Sequence, residues 1–158
     1  MILTWQSGDP HLFNGGTNTV NTSDSGVTLT GVTRSQLQKQ IHIRSSNGHP
    51  WVNLFDPKYY SSQGQANTAY ISPNFTPGVF GNLMWLHDPR WVNTDLSVTK
   101  EIPIYRELNF SLQTEFLNAF NHVAWAGMDI GVQDNTFGTT SATANGPRNI
   151  EFRANFHF

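Results

Sequence analysis

R-N-I-E-F-R-A-N-F-H-F, residues Arg148 to Phe158, ends the chain in strict alternation. Ile150, Phe152, Ala154, Phe156 and Phe158 take every second position, and Asn149, Glu151, Arg153, Asn155 and His157 fill the gaps. Successive side chains of a strand point to opposite faces, so this stretch reads as a strand with one apolar and one polar face. Two environments suit it: a half-buried place in a soluble sheet, or a wall with lipid on one side and a wet lumen on the other.

Two more stretches repeat the pattern. From Trp91 to Lys100, Val92, Thr94, Leu96 and Val98 alternate with Asn93, Asp95, Ser97 and Thr99. From Glu107 to Phe120, Leu108, Phe110, Leu112, Thr114 and Phe116 alternate with Asn109, Ser111, Gln113 and Glu115. A shorter strand at about residues 2–7 alternates Leu3 and Trp5 with Thr4 and Gln6 before Ser7-Gly8-Asp9-Pro10 breaks it. The strands are thus expected at about 2–7, 91–100, 107–120 and 148–158. Long loops fill 14–90 and 121–147, and a short connection containing Pro103 spans 101–106. With the last strand descending to the periplasm, the short connection is periplasmic and both long loops are extracellular. Outer-membrane barrels show this asymmetry, whereas a soluble sandwich has no reason to gather its length on one side.

The bulk composition agrees with this reading. Hydrophobic residues make up 37% and charged residues 13%, and the apolar content leans on eleven Phe, five Trp and four Tyr. The net charge of −2 and the lack of a basic stripe argue against nucleic acid as a partner. With no cysteine, disulfides and thiolate metal sites are excluded. No run of about 18 apolar residues exists for a membrane helix, but a barrel strand needs only about 9–11 residues. The N-terminus has no basic region followed by an apolar core, so no signal peptide is read there.

Within the first long loop, Asn14 to Ser25 reads as loop or flexible segment, and Val27-Thr28-Leu29-Thr30 as a short strand. Thr33 and Gln36 stand in capping-box spacing, with Val32 and Leu37 placed as a hydrophobic staple. A short helix over about Arg34 to His42 follows. From Ser45 to Arg90 the turn signals Asn47-Gly48, Asp56-Pro57, Ser72-Pro73, Thr76-Pro77-Gly78 and Asp88-Pro89 argue against central strands. A structureless loop of that length is unusual, so this segment either packs by its aromatics or belongs to something larger.

Taken in order, several motifs resemble the C-terminal end of a TonB-dependent outer-membrane receptor of the large type with a carboxypeptidase-regulatory-like N-terminal domain. They are Gln6-Ser7-Gly8 with Pro10, V-T-L-T-G-V-T-R-S-Q-L-Q (Val27 to Gln38), Phe55-Asp56-Pro57, T-P-G-V-F-G-N (Thr76 to Asn82), N-T-D-L-S-V-T-K (Asn93 to Lys100), E-F-L-N-A-F-N-H (Glu115 to His122) and G-P-R-N-I-E-F (Gly146 to Phe152). The resemblance implies a barrel of about 22 strands around a plug. It also implies TonB-driven uptake of a scarce substrate such as a siderophore, cobalamin or a glycan. Plug, TonB box and signal peptide have no counterpart here, so transport is expected only of a longer parent, and Met1 suggests a truncated or internally started frame. About four strands cannot close a barrel, for which the smallest examples use about eight. The expected partners are therefore the remaining strands and plug, or copies of the chain pairing at open edges, together with the β-barrel assembly machinery. A secreted all-β carbohydrate-binding or filament-forming module is the rival reading.

No catalytic residue, cofactor or metal set is expected. The six histidines are scattered without ligand spacing, and no G-x-S-x-G elbow, phosphate loop or dinucleotide fingerprint occurs. His49 with Asp56 and His87 with Asp88 are candidate extracellular ligand contacts. Trp51, Tyr59, Tyr60, Trp85 and Trp125 are the candidate ligand-stacking aromatics, with Asn53 or Asp88 as hydrogen-bonding partners. Trp91 and Tyr105, at strand ends, suit an interfacial girdle. Asp95, Glu115, Glu151 and Arg153 are expected to form a polar network facing the lumen. Phe152, Phe156 and Phe158 fit the terminal signal that the resemblance implies for barrel assembly.

Overall fold

The computed structural model describes residues 1–13, 15–20, 23–45 and 48–158, leaving aside the side chains of 23 and 24. The chain forms two compact units. One comprises Met1–Gln6, Arg90–Ala124 and Ala144–Phe158, the other Ser7–Pro89 and Trp125–Thr143.

The first unit is a four-stranded antiparallel sheet of β1 (Ile2–Gln6), β2 (Trp91–Tyr105), β3 (Leu108–Leu117) and β4 (Asn149–His157), in that spatial order. The register keeps the alternation of each strand in phase with its neighbours. Phe110 sits between Ile102 and Phe156, Thr114 between Val98 and Phe152, and Phe116 between Leu96 and Ile150. Opposite them, Ser111 lies between Glu101 and Asn155, Gln113 between Thr99 and Arg153, and Glu115 between Ser97 and Glu151. On β1, Leu3 and Trp5 join the apolar side against Thr94 and Val92. The apolar face is uncovered: Phe152 is 74% exposed, Phe156 61% and Trp5 70%. Lys100, opposite Leu112 in the middle of the β2–β3 ladder, is its exception. Antiparallel strands of one short-helix, all-β chain therefore present a lipid-type face and a polar face, without closing into a barrel.

β2 runs on through Glu101–Tyr105, where the sequence suggested a connection. Pro103 is tolerated because β1 pairs β2 only as far as Asp95, so this end of the strand has a neighbour on one side alone. A register shift between Leu108 and Asn109 leads into a turn at Arg106, whose φ is +51° and whose guanidinium lies 5.1 Å from the Tyr105 ring centroid. At the other end of the sheet, two asparagines build the corner. Asn118, with φ +51°, donates its side-chain amide to the His122 and Gly146 carbonyls and accepts from the His122 N–H. Its own N–H reaches Asp95 at 2.9 Å. Asn121, also at φ +51°, accepts from the Arg148 N–H. Asparagine tolerates this left-handed region better than other side chains. The L-N-A-F-N-H motif is thus a device for ending one strand and starting another.

The second unit gathers the two long insertions around a core of its own. Val27–Leu29 pairs with Ile71–Pro73, Pro10–Leu12 with Trp85–His87, Val52–Asn53 with Thr139–Thr140, and Trp125–Ala126 with Ala142–Thr143. Asn18–Val20 pairs with Ser23–Asp24, in a segment read from sequence as loop. The Asn47 half of the expected Asn47-Gly48 turn lies outside the described residues. Phe13, Phe55 and Phe137 are fully buried; Phe55 stacks on Phe137 at 5.6 Å and Phe13 meets both edge-on. Such pairs add about 0.5–1.5 kcal/mol each beyond their burial. The segment does pack by its aromatics, but on its own core.

The helix α1 (Arg34–Gln40) starts at Thr33 with both halves of the capping box made, Gln36 N–H to Thr33 Oγ1 and Thr33 N–H to Gln36 Oε1 at 2.8 Å. Leu37 is buried in the core, and Val32 packs against it. Asp88 ties the two insertions together. Its carboxylate, 1% exposed, accepts from the Gly127 and Met128 N–H groups and lies 2.8 Å from His11 Nε2.

Candidate functional site

The loop aromatics do not converge. Tyr59 is 3% exposed and belongs to the core, its ring edge-on to Phe55 and Tyr70. Trp85 is exposed on the Trp85–His87 strand, with its carbonyl accepting from Arg34. Trp125 pairs with Thr143 and is half-buried. Among the described residues, Trp51 and Tyr60 share a hollow, an open groove of about 730 Å³ in the second unit.

The groove is built from three segments. His49 and Trp51 form a stacked pair, ring centroids 4.3 Å apart and planes within 10°. Asn53, from the strand pairing with Thr139–Thr140, continues this wall. Ser61 to Gly64 make the second side as a tight turn, closed by Ser61 N–H to the Gln65 carbonyl and Gly64 N–H to the Ser61 carbonyl. Asn135, Thr136 and Thr139 supply the third. Asp129 holds that third segment in shape by accepting from the Thr136 hydroxyl and the Gly131 N–H. Gly64, at φ +82°, lies so close that an added Cβ would stand 2.2 Å from the Asn135 carbonyl oxygen. Only glycine fits that backbone and that approach.

Tyr60 anchors the groove floor. Its hydroxyl donates to the Gly138 carbonyl and accepts from the Phe55 N–H, both at 3.1 Å. Burial pushes its phenol pKa up from 10.0, against smaller lowering effects of the Phe55 and Leu54 backbone and of Arg44. The side-chain amides of Asn53, Gln63 and Asn135 make no hydrogen bond within the protein among the described residues, so they are open to a ligand. Sequence reading singled out Trp51, Tyr60 and Asn53 but missed Gln63, Asn135 and Thr136. They lie in polar turns about 70 residues apart, and nothing local distinguishes them from solvated loop.

The four polar-face residues share one face of the sheet without forming one network. Asp95 accepts from the Asn118 N–H and the Asn93 amide, Glu115 from the Gln113 amide at 2.5 Å, and Glu151 from the Asn149 amide at 3.0 Å. Arg153 stands opposite Gln113, and Glu115 directly opposite Glu151, an arrangement that costs a little by like-charge repulsion. Among the described residues no ion pair links them. Trp91 has the parity of Asn93 and Asp95, which places it on the polar face rather than in a lipid-facing girdle; Trp5 holds the lipid-facing position. Asp88 pairs with His11 rather than His87, whose Nδ1 lies 3.1 Å from the Gly8 carbonyl, and Asp56 caps the Lys58 N–H instead of meeting His49. Phe152 and Phe156 lie on the apolar face, and Phe158 follows the last strand residue, fully exposed.

Neither a curated protein nor a solved structure matches the chain. A family model described as an outer membrane beta barrel domain matches residues 1–151, which takes in both long insertions and the first three residues of β4. With the two-faced sheet, its uncovered apolar side and its uneven connections, that match places the chain in the outer membrane beta-barrel domain family.

Proposed function

We propose that the chain is the C-terminal barrel portion of a TonB-dependent receptor of the bacterial outer membrane, and that the whole receptor binds and admits a scarce substrate without chemical catalysis. The observation that carries the reading is the division of the connections. β2 and β3 join through a tight turn at Arg106, whereas the long connections 7–89 and 118–148 leave from the opposite end of the sheet, and Ser7–Pro89 and Trp125–Thr143 within them build a packed unit. A barrel strand pair with its short turn on the periplasmic side and elaborated loops outside has this form. The remaining strands of the parent would pair with the edges of β1 and β4, its plug would fill the closed barrel and be the part on which TonB acts, and Phe152, Phe156 and Phe158 would present the assembly signal. A soluble carbohydrate-binding module would turn the Phe152 and Phe156 face inwards, which the exposures oppose.

An affinity tag inserted at the exposed Gly48 allows the test. The tagged protein should be recovered from detergent-extracted outer membranes on a polypeptide that also carries a plug sequence, and it should cross-link to TonB when the cell membrane is energised. Recovery from the soluble fraction, or on a polypeptide without a plug, would refute the receptor reading.

A further inference from the structure

We propose that the groove lined by Trp51, Tyr60, Gln63 and Asn135 is a binding site for a neutral saccharide. The inference rests on the groove's own chemistry and holds whether or not uptake is driven by TonB.

Three observations select this ligand class. First, none of the described lining residues is Asp, Glu, Lys or Arg. A ligand of fixed charge, such as a phosphate ester or a polycarboxylate, would have to shed water there with no permanently charged side chain in return, His49 being the one lining residue able to gain a positive charge. Second, the lining is mostly amide and hydroxyl: Asn53, Gln63 and Asn135 with Ser61, Ser62 and Thr136. A primary amide both donates and accepts, as does a hydroxyl, and the vicinal hydroxyls of a sugar ring offer the matching set. A wholly apolar ligand would leave these groups unpaired, at a cost of about 1–3 kcal/mol each if they were buried. Third, the stacked His49–Trp51 pair supplies a flat, rigid aromatic surface in an otherwise polar hollow. Sugars carry an apolar C–H face beside their hydroxyls, and an amphipathic ring such as indole suits such a surface at little entropic cost.

The size and rigidity of the site fit as well. About 730 Å³ falls within the roughly 300–1,000 Å³ of ordinary ligand sites. Two of the three walls are held by backbone bonds in the Ser61–Gln65 turn, by Asp129 under the Thr136 segment, and by the close approach of Gly64 to Asn135. Binding then needs little ordering of those two walls.

The test uses the full chain in lauryldimethylamine oxide micelles, which carry no sugar. Fluorescently labelled chain is applied to a printed array of neutral and acidic oligosaccharides, alongside Trp51→Ala, Gln63→Ala and Asn135→Ala. Trp85→Ala, at an exposed tryptophan outside the groove, is the control. Near-ultraviolet circular dichroism of the Phe13–Phe55–Phe137 cluster reports native packing in each variant. The expected result is binding confined to neutral glycans, weakened roughly tenfold or more by each groove variant and unchanged by Trp85→Ala. Natively packed chain that binds no neutral glycan, binds acidic glycans equally well, or keeps its affinity in all three groove variants would overturn the proposal.

Discussion

Single side chains decide most of the geometry here. Asn118 and Asn121 turn the chain at a strand end by adopting φ near +51° and satisfying carbonyls and N–H groups that the ladder has released. Tyr60 does comparable work in the second unit, joining the Phe55 N–H to the Gly138 carbonyl through one hydroxyl. Tyr60→Phe keeps the ring but strands both partners, and should destabilise that unit by about 1–3 kcal/mol in urea titrations followed by near-ultraviolet circular dichroism. The direction of the Tyr60 pKa sets the pH dependence. Its folded value is raised above 10.0 by burial, so the folded state holds the proton longer than the unfolded one. Stability from this group is complete below pH 10 and falls as pH climbs through the folded value. Tyr60→Phe should lack this part of the alkaline loss; identical wild-type and variant slopes above pH 10 would show that the phenol is not responsible.

Among the elements, β4 is the clearest case of sequence dictating structure. Its alternation set the two faces, and pairing with β3 through nine registered positions preserved them. Where the pattern faltered, so did the reading. Pro103 suggested a connection, yet β2 continues to Tyr105 because only one side of it is paired there. Trp91 looked like an interfacial anchor by its place at a strand end, but its parity with Asn93, already present in the alternation and kept by the register, sends it to the polar face. The face assignment predicts an asymmetric response to charge. Phe152→Arg should cost about 2–4 kcal/mol if Phe152 lies near the bilayer midplane, while Asn155→Arg, on the polar face, should cost little. Unfolding of the parent barrel in micelles, read by heat-modifiable gel mobility, distinguishes them; equal costs would mean that lipid does not contact the Phe152 face.

The whole chain consists of a two-faced sheet and a separately cored unit made from its long insertions. Within the four-stranded sheet, β1 and β4 each have a neighbour on one side only, and unpaired strand edges recruit other strands. The isolated chain should therefore form large, polydisperse assemblies in detergent-free buffer and disperse to single copies in lauryldimethylamine oxide. Multi-angle light scattering reads the difference, and a monodisperse monomer without detergent would show that the edges and the apolar face are covered after all.

Sequence by itself determined the all-β class, the alternating faces of Trp91 to Lys100 and Asn149 to His157, and the capped helix after Thr33. Each is a local matter of side-chain period or of hydrogen bonds between residues three apart. Tertiary structure alone decided which loop aromatics became core and which lined the groove. Tyr59 and Tyr60 are adjacent in sequence, yet one is sealed against Phe55 and Tyr70 and the other opens beside Trp51. The place of Tyr60 depends on Phe137, Gly138 and Asn135, brought in from the second insertion by a chain closure that no local pattern encodes.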